Sequence, residues 1–220
     1  MQAGFATQGF ADAPDVLSTA ACAAILRELP LGASEAVGSR LLLRHSWCRR
    51  LADALLQNSL IASIVPRDYV AAQCTYFEKS LNRNWLVPMH QDLSIPVAAR
   101  VDHPALSGWS EKEGELFVQP PEPVLAQLVA LRLHLDPCGV DDGAMSVVPG
   151  SHLLGRLSPQ TAHVERDQRG AVLCAVPKGG ALLMRPLLLH ASSRATGESQ
   201  RRVLHFLFGP RELPFGLRWG

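Results

Sequence analysis

The chain has 220 residues, of which 47% are apolar and 19% charged, and a formal net charge of +1. That is the composition of an ordinary globular protein with enough chain to bury a core, and the near-neutral charge argues against a nucleic-acid or membrane-surface partner. Five scattered cysteines (Cys22, Cys48, Cys74, Cys138 and Cys174) include no C-x-x-C pair. They argue against a disulfide framework and a structural zinc site, and fit a reducing cytosol.

Met1 to Phe10 has neither the basic nor the apolar segment of a signal peptide, and no apolar run is long enough to span a membrane. The expectation is a single cytoplasmic domain over residues 1–220, helical over 17–65 and a β-barrel over 69–210. Nothing in the chain speaks for an oligomer, so a monomer is expected.

In chain order, residues 1–16 read as a strand and turn. Ser18 and Thr19 offer an N-cap for a helix over Ala20–Leu29, which Pro30 ends. A loop of small residues follows over 31–40. Trp47, Leu51, Ala54 and Leu55 recur at helical spacing and predict a second helix from His45 to Asn58. From Tyr69 the texture changes to β-branched and aromatic residues. Strands are expected over Tyr69–Phe77 and Leu86–Met89, and a buried strand, preceded at most by a helical turn, over Val124–Leu135. Further strands are expected over Ala144–Val148, Ala171–Val176, Ala181–His190 and Arg201–Phe208. Residues 102–123, rich in proline and glycine, read as a long loop that closes over a ligand with Trp109 and Phe117. Residues 151–170 read as irregular. Helices followed by short strands predict a mainly β fold with flanking helices.

The chemistry centres on His90-Gln91-Asp92. Residues two apart on a strand leave the same face, so His90 and Asp92 supply half a metal site. A second histidine arriving from elsewhere completes a facial triad of two histidines and one carboxylate, the arrangement of non-haem Fe(II) oxygenases. His134-Leu135-Asp136 repeats the H-x-D spacing. His90 is preferred because it ends a strand beside Pro88, whereas His134 lies inside an apolar run. Asp92 to His190 also contains enough strands to wind a double-stranded β-helix (a jelly roll) between them.

His190 ends Leu187-Leu188-Leu189 and is the candidate third ligand. Arg201 and Arg202 follow it. A 2-oxoglutarate co-substrate chelating the metal leaves a free carboxylate, which suits a bidentate arginine. Consecutive strand residues face opposite ways, so one of the two points inward, and the period does not say which. Ser192 and Ser193 offer a hydroxyl nearby.

These stretches, WLVPMHQDLSIP (85–96), DGAMSVVPGSH (142–152), LMRPLLLHASS (183–193) and QRRVLH (200–205), together resemble the phytanoyl-CoA dioxygenase family of Fe(II)/2-oxoglutarate oxygenases. The resemblance runs from Gly9-Phe10 to the LPFGLRW tail (213–219). It implies a double-stranded β-helix and iron held by His90, Asp92 and His190. It also implies 2-oxoglutarate anchored by Arg201, with Arg202 as the fallback, and Ser192 assisting. Some members use a glutamine that falls on Gln73. His152 sits in a family motif but is not expected to be a ligand. Ala191-Ser192 stands where many members have Gly-Ser.

The implied reaction uses O2 to convert 2-oxoglutarate into succinate and carbon dioxide while hydroxylating a C–H bond of a small-molecule substrate. Asp92 argues against the halogenase variation. A cupin-like module that binds a small molecule without turnover is the alternative. A zinc hydrolase has no motif in its favour.

Overall fold

The computed structural model describes residues 2–29, 38–80, 82–197 and 200–220. The N-terminal part holds helices α1 (Gln2–Gln8), α2 (Thr19–Glu28), α3 (Ser46–Gln57) and α4 (Ser59–Ala62), with strands β1 (Phe10–Ala13) and β2 (Gly38–Ser39) between them. Ser18 caps α2 by accepting from the amide of Ala21, as its hydroxyl suits it to do. The long strand β3 (Val70–Lys79) opens the β region, followed by β4 (Val87–His90), β5 (Ile95–Val97), β6 (Ser107–Lys112) and β7 (Glu115–Gln119). One turn of helix, α5 (Glu122–Leu125), leads into β8 (Val129–His134). Then come β9 (Met145–Val147), helix α6 (Pro159–Arg169), β10 (Val172–Cys174), β11 (Ala181–Met184), β12 (His190–Ser192) and β13 (Arg201–Gly209).

These strands form a double-stranded β-helix. The larger sheet has the order β1-β11-β8-β13-β3-β2 and the facing sheet β10-β9-β12-β4. The pairings between these strands are antiparallel. A side sheet, β5-β7-β6, stands at the mouth.

The alternation of side chains fixes what each face of the larger sheet does. Outward, Leu131, Leu133, Leu204, Phe206 and Phe208 pack with Cys22, Cys48, Leu55 and Ile61 from the helices in the main core. Inward, Gln73, Thr75, Lys79, Arg132, His134, Arg201 and His205 share the opposite face, because their neighbours Cys74, Leu131, Leu133 and Leu204 lie in that core. Polar residues on alternate positions of otherwise apolar strands therefore line the interior.

Four expectations change. Residues 2–8 are helical, and residues 159–169 form α6 where an irregular stretch was expected. Ser158 caps α6 and Pro159 takes its first position, a start signal hidden by the polar composition of the segment. The 102–123 loop is a β6–β7 hairpin, its turn carried by Glu113 and Gly114 at positive φ. The strand expected over 181–190 is split by Arg185–Leu189 into β11 and β12, which belong to different sheets. The loop expected over 31–40 lies largely outside the described residues. All five cysteines are buried and free. No helix among the described residues is long and apolar enough to cross a membrane.

Gly179 adopts φ +79°, and a Cβ there would meet the carbonyl oxygen of Leu17 at 2.1 Å. That carbonyl belongs to the backbone carrying the α2 cap, so it cannot move freely. Gly170→Ala, at φ +75° and ψ 167° in open space, should cost about 1–3 kcal/mol of backbone strain alone, and Gly179→Ala should lower stability by more, because a backbone clash adds to its strain. Urea denaturation of the two variants checks the difference.

Candidate metal centre

His90 ends β4 and His190 begins β12, and the two are direct cross-strand partners. Their rings lie 4.2 Å apart between centroids. Asp92 follows two residues after His90, and its amide donates to the carbonyl of Pro186 at 2.9 Å. That bond ties the exit of β4 to the turn preceding β12. The carboxylate oxygens of Asp92 lie 3.8 Å from His90 Nε2 and 3.7 Å from His190 Nε2. One ligand atom from each of the three residues falls within 4.8 Å of the others, a separation that one ion can bridge.

Both imidazoles are held in the tautomer that a metal needs. His90 Nδ1 donates to Pro88 O and His190 Nδ1 to Leu188 O, each at 2.8 Å. A carbonyl only accepts, so each Nδ1 carries the proton and each Nε2 presents a lone pair to the centre. Burial first, with His90 and Arg132 adding to it against the pull of Asp92, brings the pKa of His190 down to about 4. It therefore stays neutral at pH 7, with the lone pair on Nε2 free. Burial pushes the Asp92 carboxyl up, but His190, His205, His90 and Arg132 outweigh it, and its pKa falls below the usual value. The side chains of His90 and Asp92 are 38% and 39% exposed against 4% for His190, so the centre is open on one side and closed behind.

Gln91, between two of these residues, turns away from the centre. Its Nε2 donates to Gly155 O at 2.8 Å and Leu187 O at 2.6 Å, and its Oε1 accepts from Leu157 N at 2.9 Å. The H-x-D spacing says nothing of this middle residue, and sequence reasoning passed over it.

The centre opens on a cavity of about 480 Å³, whose walls include Gln73, Phe117, Arg132, Arg201 and His205. Gln73 donates to Thr75 Oγ1 at 2.7 Å. Arg201 is buried, and its Nη1 donates to Gly143 O. Arg202 lies on the other face of β13, where Nε and Nη2 grip Asp136 at 2.7 and 2.8 Å. The fallback Arg202 thus points away from the cavity, because strand alternation sends consecutive residues to opposite faces. The same pair accounts for the second H-x-D: Asp136 is the partner of Arg202, and His134 is buried inside the barrel apart from the triad.

Ser192 lies two residues beyond His190, and its hydroxyl accepts from Lys79 Nζ at 2.7 Å, while Ser193 O accepts from the same ammonium at 2.6 Å. Lys79 is completely buried, and burial together with Arg201 and Arg132 brings its pKa down to about 7. The sequence carries a signal for Lys79 and Arg132, namely charge at alternate positions of long apolar strands. Phe117 lines the cavity, but Trp109 packs beside the side-sheet core under Arg100. His152 donates from Nε2 to Ala6 O at 3.1 Å and holds α1.

A double-stranded β-helix that presents two histidines and one aspartate at one open end defines a protein built for a facially ligated metal. The chain belongs to the phytanoyl-CoA dioxygenase family, whose model matches residues 5–203. Among solved structures it is similar to the epimerase SnoN of nogalamycin biosynthesis, described in complex with Fe3+, alpha ketoglutarate and nogalamycin RO. The identity is 16%, the match covers 98% of this chain and 85% of that one, and the TM-score is 0.71. It is also similar to the carbocyclase SnoK of the same biosynthesis, at 18% identity, 96% and 83% coverage and a TM-score of 0.65. HygX from Streptomyces hygroscopicus, described with nickel and 2-oxoglutarate bound, matches at 20% identity, 94% and 84% coverage and a TM-score of 0.62. No curated protein is similar enough in sequence to be matched.

Gln91→Leu should weaken divalent-metal binding by about 10- to 100-fold, because the backbone carrying His90 and Asp92 loses its tie to the β12 turn. Calorimetric titration with Mn(II) reads this out. A second expectation concerns acid. Burial holds the pKa of His205 down at about 3, helped by Arg132, and that of His134 well below its ordinary value, helped by Arg132 and Arg201. The unfolded chain protonates both near pH 6.5 and the fold does not, so their contribution is present above pH 6.5 and lost as pH falls below it. The metal-free protein should lose about 1.4 kcal/mol per pH unit for each of these two, and as much again for His190, between pH ~6 and ~4, beyond what the carboxylates contribute. Chemical denaturation across that range, repeated on His205→Gln, measures the slope.

Proposed function

We propose that this protein is an Fe(II)- and 2-oxoglutarate-dependent oxygenase that hydroxylates a C–H bond of a small molecule, with release of succinate and carbon dioxide. The observation that carries this reading is the triad itself: two imidazoles with their Nε2 atoms fixed inward and one carboxylate within 4.8 Å, at the mouth of a cavity that also holds the buried Arg201. That donor set fits ferrous iron, with positions left over for a chelating co-substrate. Iron and 2-oxoglutarate, when bound, supply the oxygen-activating chemistry.

The chain's own residues do the rest. His90, Asp92 and His190 hold the metal. Arg201 receives the far carboxylate of the co-substrate, and Ser192, kept in place by Lys79, lies beside the same path. Gln73 and Thr75 give the inner wall its uncharged polar groups. Phe117, Ile95 and Leu125 form apolar wall and exclude water from the reacting face. The chain works as one unit and as a monomer. Product analysis separates hydroxylation from the epimerisation and cyclisation named for two proteins of similar fold.

Anaerobic titration with Fe(II) and 2-oxoglutarate should give the visible charge-transfer band of the chelate. His90→Ala should abolish it and His134→Ala should leave it. Arg201→Ala should weaken 2-oxoglutarate by about 10- to 100-fold, the worth of a charge-assisted hydrogen bond, with metal affinity retained. Absence of the band in the wild type would overturn the reading, and a band without succinate formation in air would leave a binding module.

A further inference from the structure

Given the proposed iron and 2-oxoglutarate, the charges facing the cavity do not cancel. Its lining holds four cations, Arg40, Lys112, Arg132 and Arg201, and one carboxylate, Asp92. Arg40 is neutralised by Glu113 at 2.6 Å. A divalent ion, Asp92 and a dianionic co-substrate sum to one negative charge, which Arg201 balances. Arg132 and Lys112 remain.

Arg132 is the more telling of the two. It stands on β8, in the sheet opposite the one that carries His90 and His190. It is 6% exposed, and among the described residues it makes no ion pair. Its Nη1 meets His205 Nδ1 at 3.0 Å, its guanidinium lies 5.5 Å from the centre of the Phe77 ring, and its Nε is buried without a partner. A guanidinium held this way in a closed interior costs several kcal/mol unless an anion joins it. Its planar fork matches a carboxylate or a phosphate. Lys112 extends the same field to the rim, where its ammonium sits 4.7 Å from the centre of the Phe117 ring and has no carboxylate partner among the described residues.

We infer that the primary substrate is an anion, and that Arg132 holds its carboxylate or phosphate across the cavity from the metal while Lys112 draws it in at the rim. The anion fixes one end of the substrate, so the bond to be oxidised is the one that this anchor places over the triad.

The test uses the smallest probes. Protein loaded with Mn(II) and saturating 2-oxoglutarate is titrated with acetate, acetamide and inorganic phosphate at constant ionic strength, and binding is read by calorimetry and by the melting temperature. Wild type should bind acetate or phosphate at least about tenfold more tightly than acetamide, as a charge-assisted pair requires. Arg132→Gln should erase that preference while keeping 2-oxoglutarate affinity within about threefold, and Lys112→Gln should reduce it only in part. Preference for acetate assigns a carboxylate substrate, and preference for phosphate a phosphorylated one.

Wild type that binds neither acetate nor phosphate more tightly than acetamide would overturn the inference, and this arm needs no variant to fold. A tenfold or greater loss of 2-oxoglutarate affinity in Arg132→Gln would also overturn it, by giving Arg132 to the co-substrate. Failure of the Fe(II)·2-oxoglutarate band would instead remove the reading beneath it.

Discussion

Cross-strand pairing of His190 with His90 brings together two imidazoles that are far apart in the chain, and the candidate metal centre depends on that register. On its other edge β12 pairs His190 with Val147 of β9, so the histidine is gripped from both sides. A slip of one residue would send His190 to the outer face of its sheet and Ala191 inward. Gln91 and the Asp92 amide guard against that slip by binding the backbone that leads into β12, at Leu187 and Pro186. Metal geometry here is backbone geometry first and side-chain chemistry second.

The second organising feature is the division of labour across the larger sheet. Its outer face is apolar and buries the helices, and this packing is what stabilises the fold. Its inner face carries Lys79, Arg132, Arg201, His134 and His205, groups that no apolar core would choose. Burial lowers the pKa of each of them, and for Lys79, Arg132 and His134 the neighbouring Arg201 adds to it. A barrel that keeps such a lining keeps it for ligands, and the excess of cations over carboxylates says what charge those ligands bring. Arg202 shows the contrast on the same strand: one residue along, on the outer face, it has its own carboxylate in Asp136.

Sequence reasoning finds the strands around the site because their composition is β-branched and their ends carry proline and glycine. It finds His90, Asp92 and His190 because H-x-D spacing and a strand-terminal histidine are local features. It places helix α3 within a residue or two at its ends because Trp47, Leu51 and Leu55 repeat at helical spacing. It misses α6, whose exposed polar surface leaves little periodicity, and it takes the β6–β7 hairpin for a loop because turn residues dominate both its flanks. It misses the role of Gln91, since nothing local reveals what an amide side chain will bind when its partners are carbonyls at Gly155 and Leu187.

By itself the sequence determined the alternation of each strand, and therefore that Arg201 and Arg202 must part company, as well as the chemical identity of the metal donors. Only the tertiary structure decided which arginine faces the cavity, which H-x-D meets the distal histidine, and that Lys79 and Arg132 stand inside the barrel with no carboxylate partner among the described residues. The physical reason is that periodicity assigns residues to two faces without saying which is inside. Inside is defined by what packs on the other face, here the N-terminal helices against Leu204, Phe206 and Phe208, and by a register between strands distant in the chain that no local signal encodes.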